Sequence, residues 1–397
     1  MSWRYLAPAH SPVSAGSIAG ALRGFASGEP PGVAQWLARC YEVDAALLVD
    51  SGTSALRLAL VAATPPGAAS LSVALPAYGC YDLATAAVGA GAVVSFYDID
   101  PATLGPDWPS LASALSAGAD ALVLVHQYGI PVDIDRARAL ADACGAVVIE
   151  DAAQGAGGWW RHRRLGARGD LGILSFGRGK GMTAGGGGAL LAAGPRGREL
   201  IERTRPHVAA GGRGAGTVAR LVAQALLSHP MLYGVPARLP WLALGDTPYH
   251  DPWSPCSIDG AQAGALEVAA ALADDEATTR RRVAESLRAE LHQAPAVALV
   301  RSPSGEGTLP GWLRFPVILD DARRAKALSS SFRHLGVARG YPMPLPELPV
   351  LRATASSAQW PGAARLASQL VTLPTHRWVT ARDLTHLRTA LLTNLTD

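Results

Sequence analysis

The chain has 397 residues, 49% hydrophobic and 17% charged, enough for a large packed domain plus a smaller one and too apolar for a disordered chain. Its 35 basic and 32 acidic residues leave a net charge of +3, and its arginines cluster only briefly, at 161–164 and 280–282, so nothing calls for a nucleic-acid groove. No run of eighteen apolar residues suggests a membrane span, and the N-terminus lacks the apolar core of a signal peptide. Four scattered cysteines (Cys40, Cys80, Cys144 and Cys256) form no C-x-x-C pair and no zinc spacing, so a reduced, cytoplasmic protein without a metal is expected.

From about residue 45 to 195, short apolar runs alternate with helical patterns. The runs are 46–49, 71–75, 93–97, 121–125, 146–149, 171–174 and 189–192, each of Val, Leu, Ile or Ala with little polar alternation. Such runs suit strands buried on both faces, so an α/β layer with a seven-stranded, mostly parallel sheet is expected. Polar residues gather just past the strand ends: Thr53, His126, Asp151 and Ser175. In open α/β sheets that edge is where ligands bind. Any one of these residues alone reads equally well as a helix cap; together they point to a site.

The segment 205–250 differs. Glycines at 207–216 lead into an amphipathic pattern at 218–229, and prolines at 230, 236, 240 and 248 follow, as in an arm packed on a partner subunit rather than on a lipid surface. A long alanine-rich helix is expected over 257–292, then a strand at 312–319 and helices near 321–335 and 361–371. A last helix opens at Thr380-Ala-Arg-Asp383, a capping-box spacing. The division expected is a large domain over 1–250, with the arm, and a smaller α+β domain over 251–397.

Among the 35 basic residues only Lys180 and Lys326 are lysines. Lys326 sits in a charged helical pattern and reads as a surface residue. Lys180 lies within Ser175-Phe-Gly-Arg-Gly-Lys-Gly-Met-Thr-Ala-Gly-Gly-Gly-Gly188. A lysine amine can lose its proton and attack a carbonyl, which arginine cannot do. An aldehyde cofactor held there as an imine needs a carboxylate for its ring nitrogen, donors for its phosphate and a cover for its ring, and pyridoxal phosphate fits the surroundings. Asp151 suits the ring nitrogen and Gln154 the phenolic oxygen. The turn Ser51-Gly52-Thr53-Ser54 offers N–H groups and hydroxyls to the phosphate at a helix N-terminus, with Ser175 in reach.

These residues, in this order, resemble the DegT/DnrJ/EryC1/StrS aminotransferases. The resemblance is carried by Ser51-Gly-Thr-Ser-Ala-Leu56, Pro76-Ala-Tyr78, Val125-His-Gln-Tyr-Gly129, Glu150-Asp-Ala-Ala-Gln154, Gly169-Asp170, Ser175-Phe176 with Lys180, Gly187-Gly188, and Leu373-Pro-Thr-His376. It implies the fold-type I architecture, a homodimer with active sites at the interface, Lys180 as the imine lysine, Asp151 and Gln154 at the ring, and Thr53 and Ser175 at the phosphate. Cys80 occupies the place of the ring-stacking aromatic in many relatives, with Tyr78 and Tyr81 beside it. The stretch 251–257 lacks the asparagine many relatives lend to the partner's phosphate site, and the 205–250 segment is longer than the family leads one to expect.

The expected activity is transfer of an amino group from glutamate to a nucleotide-linked keto sugar by a ping-pong mechanism, in surface-polysaccharide or natural-product biosynthesis. His126 and Tyr81 are candidate substrate contacts; His126 alternatively holds the Asp151 loop. A fold-type I lyase or aldolase acting on an amino acid, and a non-catalytic regulatory relative, are the competing readings.

Overall fold

The computed structural model describes residues 4–237, 248–292, 294, 297–352 and 359–393. Two helices, α1 (Ala15–Ser27) and α2 (Val33–Tyr41), precede β1 (Ala45–Val49) and α3 (Gly52–Ala63). Strand–helix alternation then runs through β2 (Ser72–Pro76), α4 (Asp82–Ala90), β3 (Val93–Tyr97), α5 (Trp108–Ser116), β4 (Ala121–Val125), α6 (Ile134–Cys144) and β5 (Val147–Asp151). A small hairpin of β6 (Trp159–Trp160) and β7 (Arg163–Arg164) leads to β8 (Leu171–Ser175), β9 (Gly188–Ala192) and α7 (Gly194–Thr204). Helices α8 (Ala215–Leu227), α9 (Pro230–Ala237) and α10 (Gly260–Leu291) follow. The remainder is β10 (Val297–Leu299), β11 (Phe315–Leu319), α11 (Ala322–Ser331), β12 (Ala338–Arg339), α12 (Pro361–Gln369), β13 (Leu370–Leu373) and α13 (Ala381–Thr393).

The main sheet has seven strands in the order β1-β9-β8-β5-β4-β2-β3, with β9 antiparallel to both neighbours and the others parallel. Strands β2, β4, β5, β8 and β9 are buried along nearly their whole length, as sheets covered on both faces require. The parallel strands therefore deliver Val49, Pro76, Val125, Asp151 and Ser175 to one edge, the edge expected to bind ligand.

A second sheet, β10-β11-β13-β12, is antiparallel throughout. The sequence pattern indicates only one of its strands. The helix expected to run to 371 stops at Gln369, and Leu370-Val-Thr-Leu373 continues as a fully buried strand. A four-residue apolar run cannot be told from a helix end by its period alone. The last helix is closed as its spacing predicts: Thr380 N–H donates to Asp383 Oδ2 (2.8 Å) and Asp383 N–H to Thr380 Oγ1 (3.3 Å). Lys326 is exposed on α11.

Helix α10 packs along α1 at backbone contact. A Cβ added to Gly20 or Gly24 would overlap the carbonyl oxygens of Gly264 or Gly260, so only glycine permits this approach. The amphipathic pattern at 218–229 forms α8, whose buried side includes Leu221. Val222, Leu226 and Leu227, with Met231, Leu232 and Val235 on α9, remain exposed. Residues 238–247 of the expected arm lie outside the described residues.

Candidate active site

At the end of β1 the chain turns directly into α3. Ser51 caps the helix by accepting Ser54 N–H (3.0 Å), and its own hydroxyl donates to Ser54 Oγ (3.0 Å). A Cβ on Gly52 would lie 2.8 Å from Ser175 Cβ, so the missing side chain lets the N-terminus of α3 abut the end of β8. Gly52 and Thr53 face a slot that Ser175 also borders. Unpaired first-turn N–H groups and the helix dipole make such an end a receptor for anions.

Successive residues of β5 point to opposite sides of the sheet. Asp151 faces the slot and accepts Ala153 N–H (2.9 Å). Burial pushes its carboxyl above the ordinary value, only partly countered by that N–H and by the positive charge of Lys180. Glu150 turns the other way. Its Oε1 accepts Gly166 N–H (2.7 Å) and lies 2.8 Å from His126 Nε2; its Oε2 accepts Arg168 N–H (2.8 Å) and Gly169 N–H (2.9 Å). Burial opposes ionisation of Glu150, but the hydrogen bond from His126 and the backbone donors outweigh it and hold the carboxyl below its ordinary value.

Lys180 stands on the glycine loop that joins β8 to β9. Gly179, Gly181 and Gly185 to Gly187 all have positive φ, a path closed to most other residues. Gly181 N–H is anchored on Ser11 Oγ (3.0 Å). The Lys180 amine enters the same slot as Asp151, Asp82 and Cys80. Burial lowers its proton affinity, but these acidic neighbours more than compensate and raise it. The Cys80 thiol, 3.3 Å from Asp82 Oδ2, is pushed up to about 12 by burial and by that carboxylate, so near neutrality the ammonium answers to Asp82 and Asp151.

The opposite wall comes from the C-terminal half of the chain. Tyr341 borders the slot, and its hydroxyl accepts Gln154 Nε2–H (2.8 Å), while Gln154 Oε1 accepts Tyr128 N–H (2.7 Å). The Tyr341 ring also packs against Tyr78 and Tyr81, at centroid distances of 5.5 and 6.2 Å. Past Lys180, Gln154 and Tyr341 the slot, about 40 Å³, opens into a cavity of about 590 Å³. Residues 7–11, α8, α9 and the segment 313–314 wall that cavity, and Arg178, Arg220, Arg314 and Arg339 border it with no carboxylate among the described residues.

These residues fit pyridoxal phosphate in kind: an amine, a buried carboxylate, a helix N-terminus and an amide converge. Gln127 adds a buried side-chain oxygen at the slot with no hydrogen-bond partner among the described residues, as expected where an occupant supplies one. At about 40 Å³ the slot is too small for a ring cofactor, which would need space in the adjoining cavity as well.

Of the residues singled out from sequence, Gly52, Thr53, Cys80, Asp151, Gln154, Ser175 and Lys180 share this slot. Three do not border it. Ser54 is buried beneath the first turn of α3, committed to Ser51. Tyr81 donates its hydroxyl to the Met343 carbonyl (3.3 Å). His126 is fully buried; its backbone N–H donates to the Asp151 carbonyl (3.0 Å) and its Nδ1 accepts Val132 N–H (3.1 Å), which ties it to the end of β5. The stretch 251–257, which lacks the asparagine, is fastened to its own chain: Trp253 Nε1–H donates to Asp50 Oδ2 (2.9 Å) and Asp50 N–H to the Cys256 carbonyl (2.9 Å). Asp82, Gln127, Tyr341 and Arg314 were not indicated by sequence. Only Gln127, within the quoted 125–129 motif, carried any local signal.

The chain matches the model of the DegT/DnrJ/EryC1/StrS aminotransferase family over residues 33–225 and 257–392. It is 34% identical over 197 residues to an L-glutamine:2-deoxy-scyllo-inosose aminotransferase of Streptomyces kanamyceticus, covering 50% of this chain and 44% of that protein. It is 38% identical over 173 residues to a dTDP-3-amino-3,4,6-trideoxy-alpha-D-glucose transaminase of Streptomyces venezuelae, covering 43% of this chain and 44% of that protein. The chain thus spans less than half the length of these curated relatives. Among solved structures it is similar to the aminotransferase TlmJ of Streptoalloteichus hindustanus (TM-score 0.77, 23% identity, 98% of each chain). It is also similar to S. venezuelae DesV in complex with a ketimine intermediate (TM-score 0.76, 24% identity, 96% of this chain and 94% of that one). At these identities the structures establish the shared fold, that of fold-type I.

Proposed function

The chain belongs to the DegT/DnrJ/EryC1/StrS aminotransferase family, and we propose that it uses pyridoxal phosphate to move an amino group from glutamate to a nucleotide-linked keto sugar in two half-reactions. The observation that carries this reading is the convergence of Lys180, Asp151, Gln154, Ser175 and the N-terminus of α3 on one slot. When bound, the cofactor supplies an electron sink for charge developing on the carbon next to nitrogen.

The N-terminus of α3 with Thr53 and Ser175 would hold the phosphate. Asp151 would hold the ring nitrogen in its protonated form, and that positive charge would in turn keep a carboxyl disfavoured by burial ionised. Gln154, fixed by Tyr128 and Tyr341, would face the phenolic oxygen. Lys180 would tether the aldehyde and, once displaced by the donor amine, carry a proton between neighbouring carbons as base and acid. Tyr341 would supply the aromatic surface that Cys80 cannot.

The cavity supports a phosphate-bearing acceptor. Four arginines and, among the described residues, no carboxylate suit a diphosphate better than a neutral cyclitol. The resemblance further supports a cytoplasmic homodimer with the site at its interface.

The test is spectroscopic. Glutamate should bleach the visible band of the loaded enzyme to that of the amine form, and a nucleotide-linked 3-keto or 4-keto sugar should restore it. Consumption of an amino acid without amine-form accumulation would instead indicate a lyase or aldolase, and no response at all a non-catalytic relative.

A further inference from the structure

Helix α8 is turned inside out for a helix in water. Its inward stripe is mostly polar. The Thr217 hydroxyl donates to Asp259 Oδ2 (2.6 Å), Arg220 Nε–H to the Gly185 carbonyl (3.0 Å) and Gln224 Nε2–H to the Ser11 carbonyl (3.4 Å), beside the buried Leu221. Its outward stripe, Ala215, Ala219, Val222 and Leu226, is exposed and carries no polar side chain. A helix with one face in water normally shows the opposite arrangement. Helix α9 extends the bare surface with Met231, Leu232 and Val235, and α1, packed against α8, exposes Leu22 and Phe25. Eight of the thirteen large apolar side chains exposed among the described residues lie on these three helices. Scattered exposed apolar residues are ordinary, whereas a contiguous group marks a contact surface.

The charge here is one-sided. Residues 1–28 and 203–237 contain no Asp or Glu; all 32 acidic residues lie elsewhere in the chain. Arg23 on α1, Arg213 just before α8 and Arg178 at the cavity rim are exposed. A second copy of the chain would also cover the apolar stripe. A two-fold contact, however, sets a patch close to its own image, and this patch would bring arginines to arginines with no carboxylate of its own between them. An anionic bilayer answers both features: the acyl boundary takes the apolar side chains and the headgroups take the guanidinium groups.

We propose that the surface formed by α8 and α9 docks the chain on an anionic lipid bilayer. The sequence pattern of this segment suggests a partner subunit; the outward stripe and the one-sided charge redirect it to lipid. Ala223, Leu227, Tyr233 and Pro236 of the same two helices line the large cavity, so docking sets that cavity beside the headgroup layer. The proposal stands independently of the aminotransferase reading.

The experiment is flotation of the purified chain with vesicles of phosphatidylcholine alone or mixed with phosphatidylglycerol, at low and high salt. Wild type should float with the mixed vesicles at low salt and leave them as salt rises and screens the headgroup attraction. Removing one large apolar side chain from the contact predicts roughly tenfold weaker partition for Leu226→Glu and for Met231→Glu. Arg213→Glu should weaken binding to the mixed vesicles as well. Val350→Glu, at an exposed apolar residue outside these helices, should float like wild type. Melting temperature and mass by light scattering are measured for every variant.

A wild type that does not float with the mixed vesicles would overturn the proposal, as would unchanged flotation in both Leu226→Glu and Met231→Glu. Equal flotation with phosphatidylcholine alone would overturn the anionic assignment. A halved mass in Leu226→Glu would give the stripe to a second copy of the chain instead.

Discussion

Glu150→Gln isolates the buried support of the site. The carboxylate uses both oxygens as acceptors, each for two donors: Gly166 N–H and His126 on one side, Arg168 N–H and Gly169 N–H on the other. His126 Nδ1 accepts Val132 N–H, so Nε2 carries the proton that meets Glu150. A glutamine of the same shape must turn its NH₂ group toward one of these pairs. Two buried donors then lose their acceptor, at about 1–3 kcal/mol each, giving a loss of about 2–6 kcal/mol. Against a total of about 5–15 kcal/mol that is a large fraction. Urea unfolding at pH 7 measures it. Acidification supplies an independent check. A carboxyl held below its unfolded value stabilises fully above an unfolded pKa of about 4.3 and loses that contribution as pH falls through the lower folded value. Wild type should show this loss, and Glu150→Gln should lack its share. A variant within about 1 kcal/mol of wild type, with the same acid dependence, would refute the reasoning.

Lys180→Ala should abolish both the visible band of the bound cofactor and its borohydride fixation to the chain, as mass spectrometry of the reduced protein would report. Asp151→Asn should act in opposite directions with and without cofactor. Burial raises this carboxyl, so its ionised form costs stability above the raised value, a cost that vanishes below an unfolded pKa of about 3.9. The apoprotein variant should therefore melt higher at pH 7, with the gain disappearing in acid, while its affinity for the cofactor falls. Gly24→Ala should cost about 1–3 kcal/mol through overpacking on the Gly260 carbonyl, read as a lower melting temperature, whereas Gly28→Ala, with nothing within 4 Å, tests only the strained φ of +88°.

The strand ends were legible because apolar runs closing on a polar residue carry their own direction. Six of the residues named from those ends and from the glycine loop border one slot, together with Cys80, named from the resemblance. What sequence could not reach depends on contacts between distant segments. Arg314 and Tyr341 approach Lys180 only because 311–313 pairs with 128–129 and Tyr341 N–H meets the Tyr78 hydroxyl (2.9 Å). His126 looked like a rim residue because it follows a strand, but only the fold shows its ring turned beneath the sheet edge toward Glu150. Tyr341 likewise brings an aromatic ring to the slot that Cys80 borders, from a segment 261 residues further along the chain.

The glycine seam between α1 and α10 reaches beyond packing. Helix α10 is a rod of 32 residues, about 48 Å long, and two parts of the cavity wall are bolted to it at different points. Near its start it grips α1, which continues from the residues that line the chamber at 7–11; farther along, Arg280 clasps the Gly311 and Ala156 carbonyls behind the turn at Trp312, whose φ is +42°. Both flanks of the cavity are thus braced against a single ruler. Substitutions on α8 and α9 can reshape the cavity without disturbing that ruler, whereas a slip along the seam would displace both flanks at once.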